Sequence, residues 1–308
     1  MKVTVVGSAY AEMIFDSPVL PASGKTVFGN AFHLSPGGRG VNQAIAAKRA
    51  GGETTFIGRV GKDLFGELVL ENLAREEISS SHTMVDKQVA SGASSVVTDK
   101  NGNSAVVVFS GANSCLSTGD LMEARFAITE CDILLLQLDI PLETVRFAAG
   151  LARSSGVRVI LNPSPALPIS DDLLKSISVL TPDASEAELL TGITISDDRS
   201  AELAGRILLE RGLDRVIITM RSKGAMVIDN GGAEHVPGFK ITVTDPTGVN
   251  DVFNGALAVG LAEEKNFYEA VLFANAAAAI SSTRKGTQAS IPHREEILSF
   301  MKTAKKLH

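Results

Sequence analysis

Short β-branched and aliphatic runs alternate along this chain with stretches in which apolar residues recur every three or four positions. Val3–Val6 reads as a first strand, Gly40–Ala50 as a helix, Thr54–Ile57 as a strand and Gly66–Arg75 as a helix. The runs Ile133–Leu138, Arg158–Leu161, Ser178–Thr181 and Val216–Thr219 are almost continuously apolar, as strands buried on both faces are. Helical patterns at Leu142–Arg153, Ala184–Leu190 and Ser200–Arg211 separate them. A last helical block runs from Asp251 to Ile280 with a break at Lys265-Asn266. The alternation predicts an α/β fold whose mostly parallel sheet is covered by helices.

Residues 10–36 and 89–111 depart from that rhythm, with alternating short strands and turn signals at Ala22-Ser23-Gly24 and Lys100-Asn101-Gly102-Asn103. Ala93–Thr98 and Ser104–Phe109 read as a hairpin. Together these segments would form a small β-sheet lid. The core would then be residues 1–9, 37–88 and 112–308.

The chain has 308 residues, 44% hydrophobic and 21% charged, ordinary values for a globular protein. A chain of this length buries about three quarters of its unfolded surface and needs no disulfide or metal staple. The net charge of −6 speaks against an electrostatic grip on nucleic acid or anionic lipid. Cys115 and Cys131 form no disulfide framework or metal pattern, and the scattered histidines make no zinc-hydrolase motif. Lys2 precedes only a short apolar stretch, and no apolar run approaches the ~20 residues of a membrane span. A cytoplasmic protein is expected.

Among the motifs, Ser23-Gly24-Lys25-Thr26 imitates the end of a phosphate-binding P-loop, but Val19 stands where its first glycine belongs and no strand-to-helix context surrounds it. No Gly-x-Gly-x-x-Gly fingerprint occurs either. Pro36-Gly37-Gly38-Arg39-Gly40-Val41-Asn42-Gln43 leads directly into a helix, which suits either close approach to a ligand or a plain turn with a helix cap. In Asp245-Pro246-Thr247-Gly248-Val249-Asn250-Asp251 a glycine-containing loop enters an apolar helix, with Asp251 in the first turn. The N–H groups from Gly248 to Asp251 would converge on one spot suited to a phosphoryl group, beside a carboxylate able to act as general base. An acidic helix cap is the simpler alternative at that position.

These blocks carry a resemblance. The chain resembles the ribokinase-like (PfkB) carbohydrate kinases nearly end to end, whose Gly-Gly-Lys-Gly-x-Asn and Asp-Thr-x-Gly-Ala-Gly-Asp signatures are matched by Gly37–Asn42 and Asp245–Asp251. Asn162–Ala166, Thr181–Glu186, Thr219–Gly224 and Thr283–Gln288 resemble further segments of that family in the same order. The resemblance implies a three-layer ribokinase-like sandwich and transfer of the γ-phosphoryl group of ATP to a hydroxymethyl oxygen of a small sugar. It implies Asp251 as base and Gly248, Val249 and Asn250 as the anion hole. Glu186 and Asp183 would organise Mg2+ through water, as hard cations prefer oxygen and retain water. Asp183, Thr219, Arg221, Ser222, Gly224 and Asn275 would hold ATP. Asp245, Thr247, Arg284, Gly286 and Ser290 match the family's monovalent-cation loops, which usually take K+. The sugar would lie near Tyr10, Glu12, Gly38, Arg39, Asn42 and Asp139, and the exposed face of the strand-built lid invites pairing into a homodimer.

Several positions depart from the family. Tyr10 and Glu12 replace an Asn and an Asp that meet the sugar, Arg39 replaces a lysine, and Asp139 a glutamate. Asn250 replaces the anion-hole glycine; asparagine tolerates positive φ, so the loop is expected to survive. Asp183 stands for an Asn, and Arg221 for a small residue. These changes bear on the acceptor more than on the reaction. A nucleoside kinase with Tyr10 stacked on a base, and a sensing protein with weak turnover, remain the alternatives.

Overall fold

In the computed structural model, which describes residues 1–307, the expected alternation is realised and extended. The chain begins β1 (Lys2–Val6), β2 (Tyr10–Ser17), β3 (Ala31–Gly37), α1 (Arg39–Arg49), β4 (Glu53–Gly61), α2 (Leu64–Arg75), β5 (Ser79–Asp86), β6 (Gly92–Asp99) and β7 (Ser104–Phe109). Two short helices, α3 (Thr118–Glu123) and α4 (Arg125–Thr129), precede β8 (Ile133–Leu136), α5 (Leu142–Ser154), β9 (Arg158–Leu161) and α6 (Asp171–Leu174). Then come β10 (Val179–Leu180), α7 (Ala184–Thr191), α8 (Asp198–Glu210), β11 (Arg215–Thr219), β12 (Gly224–Asp229) and β13 (Gly232–Pro237). Helices α9 (Val249–Ala262), α10 (Phe267–Ser282) and α11 (Arg294–Thr303) close the chain.

The large sheet has nine strands in the order β13-β12-β11-β10-β9-β8-β1-β4-β5. All its pairings are parallel except those at the β11-β12-β13 edge. Alternation at the centre divides the core in two. Ile133 and Leu135 of β8 join α1, α9 and α10 on one face, while Leu134 and Leu136 join α3, α5 and α8 on the other. The apolar run at 133–138 ends as a strand at Leu136, and Gln137 to Asp139 turn off the end of the sheet.

The other sheet has four strands in the order β3-β2-β6-β7, built from the two segments that break the sequence rhythm. Its edge strand β7 is exposed at every position. Strands β5, β12 and β13 and helix α11 lie outside the sequence expectations. The Lys25 turn joins two strands of this small sheet, which excludes the strand-to-helix setting a P-loop needs. Among the described residues, no helix is long and apolar enough to cross a membrane.

Candidate active site

Two helix starts meet at the end of the parallel strands. Helix α9 opens at Gly248, whose φ of 73° is a left-handed value that strains any side-chain-bearing residue. A Cβ there would also fall 2.6 Å from Thr287 Cγ2. The turn puts Asp251 in the first turn of α9, and only 7% of it is exposed. Val249 N–H donates to Pro246 O at 3.4 Å and Asp251 N–H to Gly248 O at 3.0 Å. The convergence expected of the whole segment is therefore narrower, with Gly248 and Asn250 keeping free N–H groups. Asn250 itself lies within α9 and is not among the residues of positive φ, so the left-handed backbone falls on Gly248 instead.

Helix α1 supplies the partners. Its cap Gly38 has φ 98°, and a Cβ on it would meet Ser8 O at 2.9 Å and the Tyr10 ring at 3.0 Å. One turn further, Asn42 Nδ2 donates to Asp251 Oδ2 at 3.2 Å and Gln43 Nε2 donates to Asp251 Oδ1 at 3.0 Å. Gly255 makes this approach possible: a Cβ there would stand 2.5 Å from Ala46 Cβ and 2.6 Å from Gln43 O. Burial pushes the Asp251 carboxyl up to about 6, against the donors Gln43 and Asn42 and the charge of Arg39. A base of that strength is ionised at neutral pH yet accepts a proton readily.

The residues matched to the sugar pocket gather around this carboxylate. Arg39 Nη1 lies 3.5 Å from Asp139 Oδ2, which also accepts from the Ser8 hydroxyl. Burial raises Asp139 above the usual carboxylate range, although Arg39 and Ser8 oppose it. Glu12 is raised by burial, against the Gly38 N–H, and raised further by Asp251; Thr287 and Arg39 pull the other way. Its side chain covers Gly37, where a Cβ would fall 2.2 Å from Glu12 Cδ. Tyr10 is buried between Gly38 and Gly92, and its phenol is pushed up to about 12 by burial and Asp139. Arg39 thus faces Tyr10, Glu12, Asp139, Asp251 and Glu186 at once.

Next to it lies the segment matched to Mg2+. Asp183 caps α7 and forms a capping box with Glu186: Asp183 Oδ1 accepts the Glu186 N–H at 2.8 Å and Glu186 Oε2 accepts the Asp183 N–H at 2.9 Å. Asn250 Nδ2 donates to Asp183 Oδ2 at 3.4 Å, linking this cap to the start of α9. Burial pushes Glu186 up to about 7, which favours a nearby cation over an isolated charge. No group of three or more His, Cys, Asp or Glu side chains that could enclose a metal occurs among the described residues. A carboxylate pair partly used in capping suits a hydrated ion better than a directly ligated one.

Thr219 ends β11 and bridges to Asp183, so the segment matched to ATP adjoins the acidic cap. Arg221, exposed and with φ 54°, begins a tight turn through Ser222 that ends at Gly224 with φ 101°. A Cβ on Gly224 would fall 2.2 Å from Val236 O, and Asn275 Nδ2 donates to that same carbonyl at 3.2 Å. Asp245 ties the two candidate cation loops together, accepting from Thr247 N–H at 2.9 Å and Gly286 N–H at 3.1 Å. These bonds hold Asp245 below its ordinary range despite burial, and the neighbouring Pro246 does not prevent them. The Arg284 guanidinium is taken up by Glu296 at 2.5 Å, and its backbone N–H donates to Ser281 O at 3.0 Å. The Ser290 hydroxyl donates to Thr287 O at 2.8 Å and meets the Ser281 hydroxyl at 2.7 Å.

Residue-by-residue matching misses Ser8, Gln43, Gln137 and Thr287, which surround the same centre. Gln43 follows Asn42 directly, and its position in the glycine-led helix start was the available signal.

Comparison with known proteins identifies the family and the fold. The pfkB family carbohydrate kinase profile matches residues 1–294. A ribokinase from Haemophilus influenzae is 39% identical over 301 residues, spanning 98% of each chain. A deoxyribokinase from Salmonella typhi is 31% identical over 302 residues, covering 98% of this chain and 99% of its own. Among solved structures, a ribokinase from Thermotoga maritima superposes with a TM-score of 0.90 at 34% identity, over 98% of this chain and 99% of its own. The Arabidopsis thaliana ribokinase complexed with ribose and ATP gives a TM-score of 0.90 at 29% identity, over 97% and 98%. The chain belongs to the pfkB family of carbohydrate kinases, phosphotransferases with an alcohol group as acceptor.

Proposed function

We propose that this ATP-dependent sugar kinase transfers the γ-phosphoryl group to a hydroxymethyl oxygen of a small sugar, with Asp251 as general base. The observation that carries the reading is the placement of Asp251: a buried carboxylate, held by Asn42 and Gln43, beside the free N–H groups of Gly248 and Asn250. The acceptor hydroxyl would give its proton to Asp251 as its oxygen attacks the γ-phosphorus, and ADP leaves with the electrons of the broken P–O bond. The free N–H groups would meet the charge on the transferring oxygens, with Val249 contributing through the turn it begins. Gly38, Arg39, Asn42, Asp139, Glu12 and Tyr10 would orient the sugar. Thr219, Arg221, Ser222, Gly224, Asn275 and Asp183 would orient ATP.

Glu186 and Asp183 would hold Mg2+ through its waters; the ion would neutralise phosphate charge. The loops joined by Asp245 would hold K+ through oxygens of Thr247, Arg284, Gly286 and Ser290. The small sheet would act as a lid over the sugar. Its edge strand, where Val107 is 72% exposed, would pair with a second copy of the chain. An ATP-consuming enzyme of this kind would work in the cytoplasm. The deciding experiment is ADP release measured over pentoses, deoxysugars, hexoses, sugar acids and nucleosides. Preference for a nucleoside would support the second reading, and ADP release with none of them would overturn the kinase reading.

A further inference from the structure

A carboxylate has no proton to give, so a side chain in hydrogen-bond contact with it must be the donor. That constraint orients more than one residue behind Asp251. Gln43 must present its amide nitrogen, which reaches Asp251 Oδ1 at 3.0 Å and Asn162 Oδ1 at 3.2 Å. Its oxygen then faces away and accepts from Gln137 Nε2 at 2.6 Å. The remaining Gln137 oxygen is buried with no partner. Reversing the Gln43 amide would set oxygen against oxygen at Asp251 and nitrogen against nitrogen at Gln137. The chain therefore runs one way while Asp251 is charged, and it does so at the expense of an orphaned carbonyl, an unusual feature of a folded interior.

Both glutamines are completely buried, so they lie behind the carboxylate rather than in the pocket. Asn42, on the other carboxylate oxygen, belongs to a second line that runs through Gln288 to Asn72. The charged groups facing Asp251 are Arg39 at the start of α1, Asp139 after β8 and Glu12 on β2. We propose that Gln43, backed by Gln137, is a positioning residue: a two-amide relay that fixes the orientation of the Asp251 carboxylate and holds it in its charged form. The inference rests on Asp251 being the base.

The relay is tested with Gln43→Met, which keeps length and loses the donor, with the isosteric Gln43→Glu, and with Gln137→Met. In Gln43→Met, kcat at neutral pH should fall about tenfold, and the acid limb of the kcat/KM profile should move up by about half a unit or more. The part of the loss that comes from protonation should recover as pH rises and the orientational part should persist, while KM for ATP stays within about threefold of wild type. Gln137→Met should shift the limb in the same direction by less, and Gln43→Glu by more, because two carboxylates would compete for one proton. A uniform loss at every pH with the limb unmoved would overturn the relay, whichever of the variants folds. Melting temperature against pH, without substrate, separates this inference from the kinase reading. The deficit of Gln43→Met should widen between about pH 5 and pH 8, as an unsupported charge forms. A pH-independent deficit would sink the relay even if no sugar were phosphorylated.

Discussion

Arg39 and Asp139 approach to 3.5 Å beside the Asp251 carboxylate, so the cation that opens α1 and the acid that follows β8 satisfy each other. The second Asp139 oxygen is buried and has no partner. An acceptor able to donate a hydroxyl there would recover the cost of that orphan, and one lacking it would not.

This arrangement bears on acceptor choice. If Tyr10, Glu12, Arg39 and Asp139 line the acceptor site as proposed, they change the volume, reach and donor geometry of the place where ribose would bind. D-ribose is expected to be a poor acceptor: the best sugar, sugar acid or nucleoside should exceed it at least about tenfold in kcat/KM, equivalent to ~1.4 kcal/mol. The double variant Tyr10→Asn with Glu12→Asp should move preference back toward ribose. If the wild type turns over D-ribose best across the panel, the four changes carry no specificity.

Removing the Asp251 carboxylate should separate activity from stability. Asp251→Asn is expected to lower kcat by about 10²–10⁴-fold, with little change in ATP affinity. A raised folded-state carboxyl contributes stability below its unfolded value and loses that contribution as pH rises through the folded value. For Asp251 that window runs from an ordinary 3.8 to about 6. Asp251→Asn should therefore gain melting temperature relative to wild type as pH rises through this window. Retention of more than about a tenth of kcat would remove Asp251 as base.

Ion dependence follows from the two loop systems. Turnover is expected to require Mg2+, and Glu186→Gln to raise the Mg2+ concentration needed for half-maximal rate. K+ should raise the rate through the loops that Asp245 joins. Equal rates in K+ and in tetramethylammonium would dismiss the monovalent site.

A fourth expectation concerns packing alone. Gly255→Ala would force a methyl against Ala46 and the Gln43 carbonyl, separating α1 from α9. Overpacking of this kind costs about 1–3 kcal/mol, readable as a lower denaturation midpoint. Because Gln43 and Asp251 move apart together, kcat should fall as well. A variant with wild-type stability and rate would show that the two helices have slack.

The central strands and the two helix starts were legible because each carries a local signal. Ile133–Leu136 is apolar at every position, and Asp251 stands at the entry to an apolar helix. Strand β5, Ser79–Asp86, was not legible because it is a polar edge strand with little pattern to read. The β12-β13 hairpin did have a signal, Asn230-Gly231 between apolar segments, which the helical alternation obscured. The pairing of Gln43 with Asp251 spans 208 residues and depends on amide orientation, which no local pattern encodes. The tolerance of Asn250 for positive φ proved unnecessary, since Gly248 takes up the turn.

The separateness of the small sheet has an evolutionary corollary. Tyr10 and Glu12 sit on β2, whereas Asp251, Asn42, Gln43 and Glu186 sit on helices packed against the large sheet. If β2 meets the acceptor as proposed, substitution of Tyr10 would change what is phosphorylated while the Asn42 and Gln43 bonds to Asp251 stay in place. Substitution of Glu12 would also alter the charge facing that carboxylate. On that reading the acceptor could change by single steps at Tyr10, with the hydrogen bonds that hold Asp251 undisturbed at each step.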